Sequence, residues 1–142
     1  MTSGTSRIEE VQERFALSGF HSWIGMRLER VEIGEVDVAL DVEPHHLNLV
    51  GLLHGGLIAT LADTASGLAY RTVLEPGTRH VTTQLSVTFL SPGRTGRITA
   101  RGKVVKSGRR FGYAEADVVG PDDELLARAT ATFTVSAERA GQ

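Results

Sequence analysis

The groups that could do chemistry gather in one stretch: Asn48, five residues, His54-Gly55-Gly56, six residues, Asp63. The glycines stand where a helix begins. A helix start presents unpaired N–H groups and partial positive charge, and glycine there lets a ligand approach the backbone. Such a donor can polarise a carbonyl as an oxyanion hole. The same pair also suits a plain loop-to-helix junction, and His54 beside it suits a structural hydrogen bond as well as catalysis. Asp63 is the only acid between Glu43 and Glu75. It lies mid-helix, where Asp is a poor helix former, among Ala59, Thr60, Ala62 and Gly67. A carboxylate in that setting is costly unless it is used or paired. Arg71, Thr60 and Thr64 are its nearest partners by spacing.

Gly55 and Asp63 are eight positions apart, roughly 12 Å along a helix. A reacting carbon must lie about 3 Å from both its nucleophile and its oxyanion donors. One chain does not easily supply both groups. If both act, a second subunit contributes one of them, and a C2 dimer makes two such sites.

The elements that must hold these residues follow from patterning. Ser6 to Leu17 reads as a helix, with Ser6 as cap, Glu9 three residues on, and Ile8, Val11 and Phe15 on one face. Gly19 ends it. Residues 26–33 and 35–42 read as strands joined at Gly34. Residues 45–55 form a loop, and about 56–74 one long helix with an apolar stripe and a stripe of small and polar residues. Pro76 and Gly77 end it. Residues 80–90, 95–106, 110–119 and 124–136 read as strands separated by Ser91-Pro92-Gly93, Ser107-Gly108 and Gly120-Pro121. One central helix among meandering antiparallel strands is α+β. A single domain over 1–142 is expected, with loose ends at 1–5 and 137–142. Phe15, Phe20 and Trp23 are expected in the core, or at the closure of a substrate pocket.

The chain has 142 residues, no cysteine and a net charge of −2. These values exclude a disulfide framework, a Cys-based zinc site and a Cys nucleophile. A reducing, cytoplasmic location is the expectation. Residues 1–14 carry no apolar run of the signal-peptide kind, and no stretch approaches the roughly 20 apolar residues of a membrane span. His45, His46 and His54 lack an acidic ligand between them, so no metal site is expected. Residues 76–114 hold eight bases and no acid, between acidic flanks. Such a block suits a polyanionic partner or a face laced with solvated charge. It lacks the aromatic interleaving and recognition helix of a nucleic-acid surface.

The segments HLNLVGLLHGGLIATLADTASGLA, VTTQLSVTFLSPGRTG and ATATFTV together resemble the hotdog-fold thioesterases of the phenylacetate-pathway, PaaI-type branch. The resemblance runs from about Met26 to Val135. It implies a long central helix wrapped by a curved antiparallel sheet of five to six strands, with a short N-terminal helix. It implies hydrolysis of acyl-coenzyme A thioesters without cofactor, by homodimers or dimers of dimers with sites across the interface. By position, it makes Asp63 the nucleophile or general base and Gly55 the backbone donor, with His54 beside it. Asn48 then orients the water or the thioester, and Thr82 assists the water if the strand register is right. Gly56, Leu90, Gly93, Arg94, Gly108, Arg109 and Arg110 fall where coenzyme A is gripped, the arginines suiting phosphate. A hotdog hydratase and a non-catalytic acyl-coenzyme A binder are the alternatives.

Overall fold

The computed structural model describes residues 4–137. Of the ends expected to be loose, 1–3 and 138–142 lie outside the described residues, whereas Gly4 begins the first helix and Ala137 ends the last strand. The elements are α1 (Gly4–Leu17), α2 (Gly19–Ile24), β1 (Arg27–Glu32), β2 (Glu35–Asp41), a 3-10 turn (Pro44–His46), α3 (Gly55–Arg71), β3 (Thr78–Phe89), β4 (Arg97–Ser107), β5 (Phe111–Val119) and β6 (Leu125–Ala137). The strands form one six-stranded antiparallel sheet in the order β1-β2-β4-β5-β6-β3. The α3 helix packs on β2 through β6. This is the α+β hotdog architecture expected. No helix among the described residues is long and apolar enough to cross a membrane.

The core lies between α3 and the concave face of the sheet. Ile58, Leu61, Ala62, Ala65 and Ala69 meet Val36, Val38, Leu40, Ile98, Ala100, Ala116 and Val118. Period-two alternation on the strands supplies one face of that core and period 3.6 on the helix supplies the other. Gly102 allows the close approach, since a Cβ there would run into the Ala65 carbonyl. Arg71 belongs to the buried face instead of the open polar stripe. Its guanidinium is held by the Thr78 carbonyl at 2.7 Å and the Glu75 carbonyl at 2.8 Å.

Two sequence expectations change. The helix that Gly19 was expected to end restarts at once as α2, because the Ser18 hydroxyl accepts the His21 N–H. Gly25 then closes α2 in the left-handed region, φ 80°. Phe20 and Trp23 are exposed, 52% and 77%, so neither is core in this chain. Phe15 is half-buried and stacks on His21 at 4.7 Å.

The basic block is divided by the sheet. Arg97, Arg101 and Lys103 lie on the convex face, where the register sets acids beside them. Across the ladders Asp41 stands opposite Arg97, Asp37 and Asp117 flank Arg101, and Glu35 and Glu115 flank Lys103; the ion pair of Arg101 is to Asp123 at 3.3 Å. Arg128 completes the lattice on Asp117 at 2.8 Å. A groove of about 450 Å³ runs among these residues, but its charges answer one another. Arg94, Lys103, Lys106, Arg109 and Arg110 are exposed and have no ion pair among the described residues. The block is thus a solvated face in its middle, with acids on the neighbouring strands, while Arg94, Arg109 and Arg110 stand beyond the two ends of β4.

Candidate active site

The loop before α3 is built around Asn48. Its Oδ1 accepts the N–H groups of Val50 and Leu52, each at 3.0 Å. Its own N–H donates to the Leu52 carbonyl at 2.7 Å, and Gly51 takes φ 80° to close the turn. With Oδ1 engaged, Asn48 offers only its NH2 group outward, which donates and does not accept. The Leu53 N–H donates to the Gly93 carbonyl at 2.8 Å, tying this loop to the β3–β4 loop. Gly93 is small for that reason: a Cβ there would sit 3.0 Å from the Leu53 side chain.

His54 is the N-cap of α3. Its Nδ1 accepts the Gly56 N–H at 2.9 Å. That bond fixes the neutral tautomer with hydrogen on Nε2 and consumes the Gly56 donor. Of the two glycines, Gly55 alone keeps an N–H with no acceptor among the described residues. The Phe89 ring lies 3.4 Å from where a Gly55 Cβ would be, so an aromatic wall flanks that donor. Asn48, Gly55, Phe89, Leu90 and Gly93 line one cleft of about 360 Å³. Sequence reading gave Phe89 no place in the site; its position one residue before Leu90 was the available signal.

Asp63 faces a different cleft. Neither Arg71, Thr60 nor Thr64 pairs with it. Thr60 donates instead to the Gly56 carbonyl at 2.9 Å, and Arg71 is committed to the chain after α3. The partner of Asp63 comes from β3: Thr82 Oγ1 donates to Asp63 Oδ1 at 2.8 Å. The register of β3 is therefore the one that turns Thr82 toward α3 and Asp63. Thr83 sits at an irregularity in the β3–β6 ladder and donates to the Thr132 carbonyl at 3.2 Å. Asp63 and Thr82 line a cleft of about 260 Å³ with Thr64, Gly67, Leu68, Arg71, His80, Arg14 and His21. His80 has its pKa pushed down to about 4, first by burial and then by the Arg71 charge. Burial also lowers His21.

The two clefts do not share a lining residue. Gly55 and Asp63 sit eight positions apart on one unbroken helix, about 12 Å by rise. The uncompensated bases are split too. Arg94 precedes β4, while Arg109 and Arg110 follow it, and eleven extended residues separate those ends by about 30 Å. His46, by contrast, is structural. Its Nδ1 accepts the Glu43 N–H at 2.9 Å and its Nε2 meets the Ile24 carbonyl at 2.8 Å. No group of three or more His, Asp or Glu side chains among the described residues is placed to hold a metal ion.

The family model of the thioesterase superfamily matches residues 50–127. The chain is 32% identical over 121 residues to human acyl-coenzyme A thioesterase 13, covering 83% of this chain and 86% of that one. It is 30% identical over 131 residues to the medium/long-chain acyl-CoA thioesterase YigI of Escherichia coli, covering 82% and 84%. Among solved structures, a thioesterase family protein from Silicibacter pomeroyi superposes with a TM-score of 0.88 at 28% identity, over 92% of this chain and 98% of that one. A mutant form of the phenylacetic acid degradation protein PaaI from Thermus thermophilus does so with a TM-score of 0.76 at 30% identity, over 82% and 98%. The chain belongs to the thioesterase superfamily, as a hotdog-fold thioester hydrolase of the PaaI type.

Proposed function

We propose that this enzyme hydrolyses acyl-coenzyme A thioesters in a homodimer, or a dimer of dimers, whose sites pair the Asp63 cleft of one subunit with the Gly55 cleft of the other. The observation that carries the reading is the Asp63–Thr82 hydrogen bond of 2.8 Å. It holds a half-buried carboxylate by one oxygen and leaves Oδ2 with no partner among the described residues. Such an oxygen can take a proton from water. The water oxygen then attacks the thioester carbonyl carbon. The oxyanion forms against the Gly55 N–H and the Asn48 amide. Collapse expels the coenzyme A thiolate, which recovers the proton from Asp63. His54 acts through Gly56, by fixing the helix start. Attack by Asp63 itself, through a mixed anhydride that water clears, uses the same atoms. Oxygen-18 entering Asp63 in a single turnover would select that route.

Dimerisation is supported by β3. It is a twelve-residue edge strand, largely exposed, with no partner on its outer side among the described residues. A long edge without proline, and with its one arginine near the start, invites pairing. Coenzyme A phosphates are assigned to Arg94, Arg109 and Arg110, with Leu90, Gly93 and Gly108 shaping the loops that carry them. Thiol release from an acyl-coenzyme A panel tests the reading. Asp63→Asn is expected to lower kcat by about 10²–10⁴-fold with the fold retained. Arg109→Ala is expected to raise KM severalfold, and Arg101→Ala, in the ion lattice, to leave it unchanged. Parental activity in Asp63→Asn would refute the assignment.

A further inference from the structure

The Asp63–Thr82 contact is the first of three rungs between α3 and β3. Stepping four residues along the helix and two back along the strand keeps each on the same face. The second rung is therefore Gly67 opposite His80. The third is Arg71 opposite Thr78, where the guanidinium donates to the Thr78 carbonyl at 2.7 Å and hydroxyl at 3.1 Å. The first and third rungs are filled by side chains from both elements. The second has none on the helix side, so a hollow opens there, one helical turn or about 6 Å from Asp63.

The wall of that hollow is rigid. His80 stands edge-on to Tyr70 at 5.5 Å and 84°, and to Phe133 at 5.5 Å and 78°. Tyr70 and Phe133 are fully buried and stack on each other at 4.9 Å. Arg71, one rung past His80, lines the same cleft with Arg14 and His21. Both arginines have Glu10 beside them, Arg14 at 3.0 Å and Arg71 at 3.9 Å. That pairing makes them poor phosphate ligands. It directs the anionic part of the substrate to the exposed bases elsewhere and leaves this cleft to the acyl group. An alkyl chain driven past His80 would cover guanidinium and imidazole groups with hydrocarbon, which is unfavourable.

We propose that the Gly67–His80 rung is the specificity-determining end of the acyl site, admitting compact acyl groups (short-chain or single-ring) and rejecting long alkyl chains. The inference rests on the reading of Asp63 as the catalytic carboxylate. Two substitutions move the limit in opposite directions. His80→Ala removes the wall. Gly67→Ala fills the hollow with one methyl group, and it is sterically mild: the added Cβ meets His80 Nε2 at 3.7 Å and Phe133 Cε1 at 3.8 Å, ordinary contact distances.

The test is kcat/KM for acetyl-, butyryl-, phenylacetyl-, octanoyl- and dodecanoyl-coenzyme A with the parent, both variants and Asp63→Asn. The parent is expected to favour butyryl or phenylacetyl over dodecanoyl by about tenfold or more. His80→Ala is expected to shift the dodecanoyl-to-butyryl ratio upward by about tenfold, while Gly67→Ala lowers phenylacetyl relative to acetyl by a similar factor. A parent that takes dodecanoyl as well as butyryl overturns the inference. So does a chain-length profile unmoved in Gly67→Ala, which is expected to fold whatever becomes of His80→Ala. The underlying reading fails separately, through rates on every ester that Asp63→Asn leaves intact.

Discussion

The two clefts along α3 are made of different material. The Gly55 cleft is lined mainly by apolar side chains and loop backbone, and its outward donors are a peptide N–H set by the helix start and the Asn48 amide. The Asp63 cleft is lined by titratable side chains on the seam between a helix and a strand. The first can hold developing negative charge without changing protonation. The second can move a proton. Thioester hydrolysis needs both, and one chain holds them about 12 Å apart. An enzyme assembled from two copies can keep each half on rigid secondary structure and bring them together only at the interface.

That contrast is most directly broken at Gly55. Proline is well tolerated at the first position of a helix and lacks an N–H. His54, at φ −60° and ψ 130°, already has the extended backbone a following proline requires. Gly55→Pro should therefore fold normally and lose about 10²–10³-fold in kcat. Gly55→Ala, which keeps the N–H, should lose far less. Co-expressed with Asp63→Asn, Gly55→Pro should recover activity, to about a quarter of the parental level, because half of the dimers then carry one intact site. No recovery in a proven mixed dimer would place both groups in one chain's site and end the comparison.

The next effect is on stability against pH, and it belongs to the Asp63 cleft alone. His80 is neutral in the folded chain down to about pH 4, whereas the unfolded chain binds its proton near pH 6.5. Between those values the unfolded state carries more protons, so stability is full above about pH 6.5 and falls as pH drops toward 4. Arg71 and Arg14 add to the lowering, and His21 acts in the same direction. From pH 7 to pH 5 the loss should be about 1–2 kcal/mol, allowing for partial exposure. Urea titrations at the two pH values measure it. His80→Phe should flatten the difference, and an unchanged slope would contradict the burial argument.

The smallest effect concerns the hydrogen bond that orients Asp63. Thr82→Val keeps the shape and removes the hydroxyl, for about 1 kcal/mol, or roughly fivefold in kcat. Thr83→Val, whose hydroxyl serves the neighbouring strand, should leave kcat alone. If the two variants exchange these outcomes, the strand register described above is wrong at the site.

Much of this was legible in the chain. Asn48, His54, Gly55 and Asp63 stand out by type and spacing, and the helix that carries the last two follows from its apolar period and from Pro76-Gly77 after it. The α2 helix was not legible, because Gly19 reads as a stop until the Ser18 hydroxyl is seen capping a second start. The middle of the basic block stayed open between two readings for another reason. Its compensating acids come from β2 and β5, and only the sheet register sets Asp37 and Asp117 beside Arg101. His80 was missed although it lies two residues before Thr82 and so on the same strand face; without the register, neither residue had a known direction.

What the sequence alone determined is local. Periodicity, caps and breakers are written in neighbouring residues, so the element order apart from α2, the helix start at Gly55 and the isolation of Asp63 from other acids could be read directly. What the tertiary structure decided is pairing between segments far apart in the chain. It gave Asp63 to Thr82 in place of Arg71, spent the Gly56 donor on His54, cancelled the middle of the basic block and set His80 against the hollow at Gly67. Those outcomes turn on which face a strand presents, and a shift of one residue reverses that face. No local signal fixes such a register; the packing of the whole sheet against α3 does.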